Sequence, residues 1–171
     1  MIEPLDSILL LGNPKLYEVS PEVKHEECKG LGVVIQSMHE AMMAFRKKYG
    51  RGRAIAAPQI GVMKRLIYMN IDKPVIFVNP TFTWKSTELI ELWDDCMSFP
   101  DILVKVLRHR SCRIKFRDLE WNEHEWGLND DLSELLQHEY DHLDGILALM
   151  RAVDKKSFVL YNQKQYVNFV R

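Results

Sequence analysis

The sequence is short of the features that mark many functional classes. Only three of its 171 residues are cysteine, namely Cys28, Cys96 and Cys112. An odd number without close spacing argues against a disulfide framework and for a reducing compartment. The start, Met1-Ile2-Glu3-Pro4-Leu5-Asp6, has neither the basic residues nor the long apolar core of a secretory signal. Its longest uncharged apolar run, Ile8 to Leu11, falls far short of the roughly 20 residues that cross a bilayer. An excess of one charge is missing as well. With 23 Lys+Arg against 24 Asp+Glu the formal net charge is −1, which gives no electrostatic case for nucleic acid or an anionic membrane. The basic cluster Arg46-Lys47-Lys48, with Arg51 and Arg53 behind it, suits a solvated helix end. Repeats, linkers and low-complexity segments are absent. The expectation is a cytoplasmic protein that binds neither nucleic acid nor membrane. At 47% hydrophobic, 171 residues suffice for one domain, 1–171, with a real core, and are too few for two comfortable ones.

What is present is the stretch Gln137-His138-Glu139-Tyr140-Asp141-His142, an HExxH pattern inside an apolar run bounded by Leu135, Leu136 and Leu143. On a helix, residues four apart lie on one face. His138 and His142 can therefore aim both imidazoles at one point, as a metal ion requires. Glu139, one step from the first ligand, is placed to reach the attacking water without binding the metal itself.

Around this stretch the chain reads as a mixture. An extended, turn-rich arm covers residues 9–21. From about Glu27, the residues Leu31, Val34, Ile35, Met38, Met42, Phe45 and Tyr49 recur at helical spacing and predict a long amphipathic helix. His39 falls beside that stripe, at its rim. Residues 54–61 read blandly as a tight loop of small residues with Pro58 ahead of Gln59. Strand-like runs follow at 65–70, 75–84, 87–93, 102–107 and 111–116, with an edge strand at 121–126. Asn129-Asp130-Asp131 supplies caps for the HEYDH helix. The tail from Ser157 has no readable form. The pattern predicts an α+β fold, with antiparallel sheets around a central metal-binding helix.

A metal held by two histidines needs a third ligand. Cys28 lies in a charged stretch and Cys112 in a strand, both ordinary places for a thiol. Cys96 ends a strand in Leu92-Trp93-Asp94-Asp95-Cys96-Met97-Ser98, where a polar turn presents it beside acidic groups. A buried structural thiol is the competing reading for Cys96, and a downstream acid or histidine is the rival ligand. Beyond His142, however, there is no further histidine or glutamate, only Asp144 and Asp154.

Three segments in one order resemble the peptide deformylase family. Its motifs GxGxAAxQ, EGCLS and HExDH stand here as Gly52-Arg53-Ala54-Ile55-Ala56-Ala57-Pro58-Gln59, Asp94-Asp95-Cys96-Met97-Ser98 and His138-Glu139-Tyr140-Asp141-His142. The resemblance covers roughly residues 8–150. It implies removal of the formyl group from formyl-methionyl peptides or nascent chains, with formate as product. It also implies that Cys96, His138 and His142 hold a divalent metal, typically Fe²⁺, with Zn²⁺, Ni²⁺ or Co²⁺ able to substitute. Glu139 is then the acid–base residue, and Gln59 and the backbone N–H of Met97 face the oxyanion. The partner is an N-formylated peptide, with transient contact to the ribosome.

The departures from the motifs fall in the substrate groove. Ala54 replaces a glycine, Arg53 an aliphatic residue, and Asp94 shortens the glutamate. Asp95 replaces the glycine before the cysteine, and Glu134 stands where an apolar side chain lines the methionine pocket. A β-carbon at positions 54 and 95 narrows the groove or demands a different φ. Arg53, Ala54, Asp95 and Glu134 are therefore expected to alter peptide preference. Three other readings stay open: a deformylase-like metalloamidase for another small N-acyl compound, a zinc peptidase, and a metal-bound fold that only docks.

Overall fold

The computed structural model describes residues 3–169. The apolar stripe of the first half becomes helix α1, Gly32–Tyr49, which buries Met38, Ala41, Met42 and Phe45 and ends on Gly50 in the left-handed region. The helix starts later than expected. His25–Gly30 form a 3₁₀ turn instead, because glycines at 30 and 32 weaken an α-helical start. His39 does sit at the rim, half-buried, with Nδ1 2.8 Å from the Tyr68 hydroxyl.

The loop expected at 54–61 is in part a strand. β1, Ala54–Ala56, is fully buried, and a 3₁₀ turn, Ala57–Ile60, carries the chain on to Gly61. Next come β2 (Leu66–Asn70), β3 (Pro74–Lys85), β4 (Leu89–Asp95), β5 (Ile102–His109), β6 (Ser111–Arg117) and β7 (Glu123–Asn129). β7 begins two residues later than the reading at Trp121, whose φ of 70° places it in the preceding turn. All pairings are antiparallel. One sheet runs β1-β2-β3-β6-β7; the other runs β4-β5-β8, with β8 (Phe158–Leu160) supplied by the tail.

Helix α2, Asp130–Leu143, lies between the sheets, touching β1, β2, β6 and β7 of the larger and β5 of the smaller. Leu135, Leu136 and Leu143 share a core with Ile67, Phe77 and Ile114. Asn129 is the N-cap residue but its side chain does not cap. Its Oδ1 accepts from Ser111 Oγ at 2.8 Å, and Asp130 turns to Arg110. The helix is anchored instead by Ser133 and Gln137, both bonded to the backbone of His109. Among the described residues no helix is long and apolar enough to cross a membrane.

The turn after α2 depends on Gly145, at φ +68°, where a Cβ would stand 2.5 Å from the backbone carbonyl of Tyr17. That contact is backbone, so no side-chain rotation relieves it. Gly145→Ala is expected to cost roughly 2–4 kcal/mol from left-handed strain and overpacking. Urea unfolding measures this, and a loss below 1 kcal/mol would show that the arm moves aside freely.

Candidate metal centre and cleft

Two turns and one helix deliver the polar groups to one point. α2 presents His138 and His142 from adjacent turns, with their Nε2 atoms 3.2 Å apart. The end of β4 brings Cys96, whose Sγ is 3.2 Å from His142 Nε2. The three ligand atoms lie within 4.8 Å of one another, and all three residues are buried.

Their surroundings fix them. His138 Nδ1 lies 2.8 Å from Asp94 Oδ2, so that in the neutral ring the Nε2 lone pair faces the centre. Asp94 also accepts from Arg108 Nη2 at 3.1 Å, and the other arm of Arg108 reaches Asp141 on α2. Burial opposes charge on His138, but Asp94 and the Cys96 sulfur outweigh it and hold its pKa well above the usual value. His142 goes the other way, held well below the usual value by burial and by His138. With His138 neutral, two inward-facing imidazole nitrogens and a sulfur converge on one point. One sulfur and two imidazole nitrogens, buried and within 4.8 Å of one another, are a donor set that fits a divalent metal.

Glu139 is also buried, and its Oε2 has no hydrogen-bond partner among the described residues. Burial raises its pKa to about 7, against the opposing pull of His138. A carboxyl near neutrality can take and return a proton. Gln59 comes from the turn after β1. Its Oε1 accepts from the backbone N–H of Ala56 at 2.9 Å, which aims Nε2 at Ser98 Oγ, 3.2 Å away, and at Cys96 Sγ, 3.5 Å away. The arm secures both turns, with Leu9 N–H donating to Gln59 O at 2.7 Å and Leu11 N–H to Ser98 O at 2.8 Å.

A cleft open to solvent is lined by Gln59, Cys96, Met97, His138 and Glu139, and also by Arg53, Ala54, Asp95 and Glu134. His142 completes the triangle behind it. Every site residue expected from the sequence is thus brought together. Ala54 and Asp95 keep ordinary negative φ, so their β-carbons narrow the groove and do not bend it. Asp95 is turned to Arg51, whose Nε donates to it at 2.7 Å. Four contributors went unrecognised: Ser98, Asp131, Arg108, and Asp94 as the partner of His138. Arg108 had a signal. Along β5 the buried positions alternate, Val104, Val106, Arg108, and a charge on an inward position requires a partner.

The model of the polypeptide deformylase family matches residues 5–158. This chain belongs to that family. A peptide deformylase of Pseudothermotoga lettingae is 31% identical to it over 96% of this chain and 91% of its own length. The crystal structure of the Thermotoga maritima peptide deformylase superposes with a TM-score of 0.77 at 29% identity, covering 86% of this chain and 97% of that one. That of Synechococcus elongatus, in complex with actinonin, gives 0.81 at 25% identity over 98% of this chain and 88% of that one. The α+β architecture is the one these structures share. Membership makes the chain a metal-dependent hydrolase that removes the N-terminal formyl group from nascent peptides.

Proposed function

We propose that Cys96, His138 and His142 hold the metal of this deformylase, and that Glu139, Gln59 and the Met97 N–H carry out the proton transfer and charge stabilisation. The observation that carries the reading is the convergence of Cys96 Sγ and two histidine Nε2 atoms within 4.8 Å beside a buried Glu139. Held by these three residues, a divalent ion would supply Lewis acidity for the formyl carbonyl and would lower the pKa of water toward neutrality. One thiolate and two imidazoles suit Fe²⁺, Zn²⁺, Ni²⁺ or Co²⁺; the resemblance to the family favours Fe²⁺.

Glu139 takes the proton from the attacking water as oxygen bonds to the formyl carbon. The C–N bond then breaks, and Glu139 returns the proton to the departing amine, leaving formate and a free N-terminus. The carbonyl oxygen gains negative charge on the way. Gln59 Nε2 is fixed before substrate arrives by the Ala56 contact, so it donates without reorganising. Gln59→Leu is expected to lower kcat by about 10²–10³-fold with metal content unchanged. A loss under threefold would remove Gln59 from the oxyanion site.

We read residues 1–171 as one catalytic domain, and the cytoplasm, with transient ribosome contact, as the place where it meets formylated chains. Family membership does not favour an amidase for another N-acyl compound or a zinc peptidase. The deciding experiment is formate release from N-formyl peptides by protein loaded anaerobically with Fe²⁺. Release establishes the reading; a metal-loaded protein inert toward every N-formyl peptide overturns it.

A further inference from the structure

The cleft carries charges that the hydrolysis does not use. Arg53, leaving the buried strand β1 at its start, pairs with Asp131 and has Nη2 3.5 Å from Glu134 Oε2, both carboxylates on the first turns of α2. Its side chain is 24% exposed while that of Glu134 is only 5% exposed. Arg53 lines two spaces at once. On one side is the cleft beside the metal ligands, whose cavity volume is ≈ 30 Å³, and on the other a surface groove of ≈ 420 Å³ lined also by Arg46, Gly50, Asn70 and Asp131. The cleft beside the metal ligands is far the smaller of the two and has room for groups of solvent size only. A group attached to a formamide at the metal must share that space with the Arg53–Glu134 pair.

We propose that Arg53, braced by Asp131 and Glu134, is a specificity-determining plug. It makes the enzyme prefer substrates whose formylated residue is small, such as glycine, alanine or serine, over those that begin with methionine. This rests on the deformylase reading for its chemistry and adds the substrate class. A methionyl side chain needs several times the free volume, and an apolar thioether gains nothing against a guanidinium and a carboxylate. Admitting it requires Arg53 to swing into the neighbouring groove and withdraw from Glu134, a carboxylate with little access to water. The Asp131 contact resists less, because Asp131 is 67% exposed and water replaces the lost partner. The result is a preference of about tenfold, not an absolute exclusion. A methyl or hydroxymethyl group leaves the ion pairs untouched.

The test is binding by calorimetry to Ni²⁺-loaded protein of two hydroxamate-capped dipeptides that differ only in the first side chain, methyl or methylthioethyl. Formate release from formyl-Ala and formyl-Met tripeptides is measured beside it. The methyl compound is expected to bind at least as tightly. Arg53→Ala should tighten the methylthioethyl compound about tenfold relative to the methyl one, and Asp131→Asn should shift it the same way by less. Tenfold tighter binding of the methylthioethyl compound to the unmodified protein, or equal shifts for both compounds in Arg53→Ala, overturns the plug. If no peptide releases formate yet the hydroxamates discriminate as expected, the deformylase reading fails and the plug stands.

Discussion

Replacing Glu139 by glutamine is expected to lower kcat by about 10²–10⁴-fold, the usual contribution of a positioned general acid–base group. The amide fills the same volume but cannot take a proton from water, so the step that makes the nucleophile and the step that releases the amine fail together. Because Glu139 contributes no ligand atom to the Cys96–His138–His142 group, the variant should still bind one equivalent of divalent metal. Its thermal stability without metal should not fall. The carboxylate it removes is buried, with Oε2 lacking a hydrogen-bond partner among the described residues, an arrangement that function maintains at a cost to the fold. Formate release, metal content and thermal unfolding on one preparation check all three. A variant within tenfold of the unmodified enzyme, at full metal occupancy, would take Glu139 out of the proton path.

The part of this site that was legible in the sequence is the part made by local spacing. His138, Glu139 and His142 fall on one helix, and helical periodicity alone places the two imidazoles together. Cys96 comes from another strand, 42 residues before His138 in the chain, and no local pattern says that a strand end meets a helix. On the residues alone it was one candidate among several, and only the order of three motifs singled it out. β1 was hidden for a different reason. It is three residues long, made of Ala54, Ile55 and Ala56, and alanine is depleted in strands. Pairing with β2, from Ala54 with Met69 to Ala56 with Ile67, makes it a strand. β8, Phe158–Leu160, has strand-forming residues but only three of them, and pairing with Ile102, Leu103 and Val104 of β5 makes it a strand. The expected capping of α2 failed because Asn129 and Asp130 had tertiary partners, Ser111 and Arg110, that competed for the same side-chain oxygens.

The largest stability effect is expected at Arg108. It is 3% exposed and bridges Asp94, which is fully buried, to Asp141, which is 6% exposed. Asp141 has a second cation in Arg151, at 2.7 and 2.8 Å. Burial pushes the Asp141 pKa upward, yet these bonds to Arg151 and Arg108 hold it below the usual carboxylate value. Asp94 Oδ2 meets Arg108 on one side and His138 Nδ1 on the other. Arg108→Met keeps most of the volume but leaves buried carboxylates with too few cations, a change that costs about 3–5 kcal/mol when one partner of a buried pair is removed. Arg108→Lys restores the charge, but as a single point it cannot reach both carboxylates in the fork geometry, so it should recover only part of the loss. The effect extends to the metal. With Arg108 gone, Asp94 loses a partner that fixes it, and the contact that orients the ring of His138 is loosened. Metal affinity should then drop by about 10–100-fold, as it does when such outer partners are removed elsewhere. Urea unfolding of the metal-free protein reads the first effect, and competition with a chelator reads the second. If Arg108→Met unfolds at the same urea concentration as the unmodified protein, the buried network is not what holds α2 against the smaller sheet. If it is destabilised but keeps full metal affinity, Asp94 orients His138 without help from Arg108.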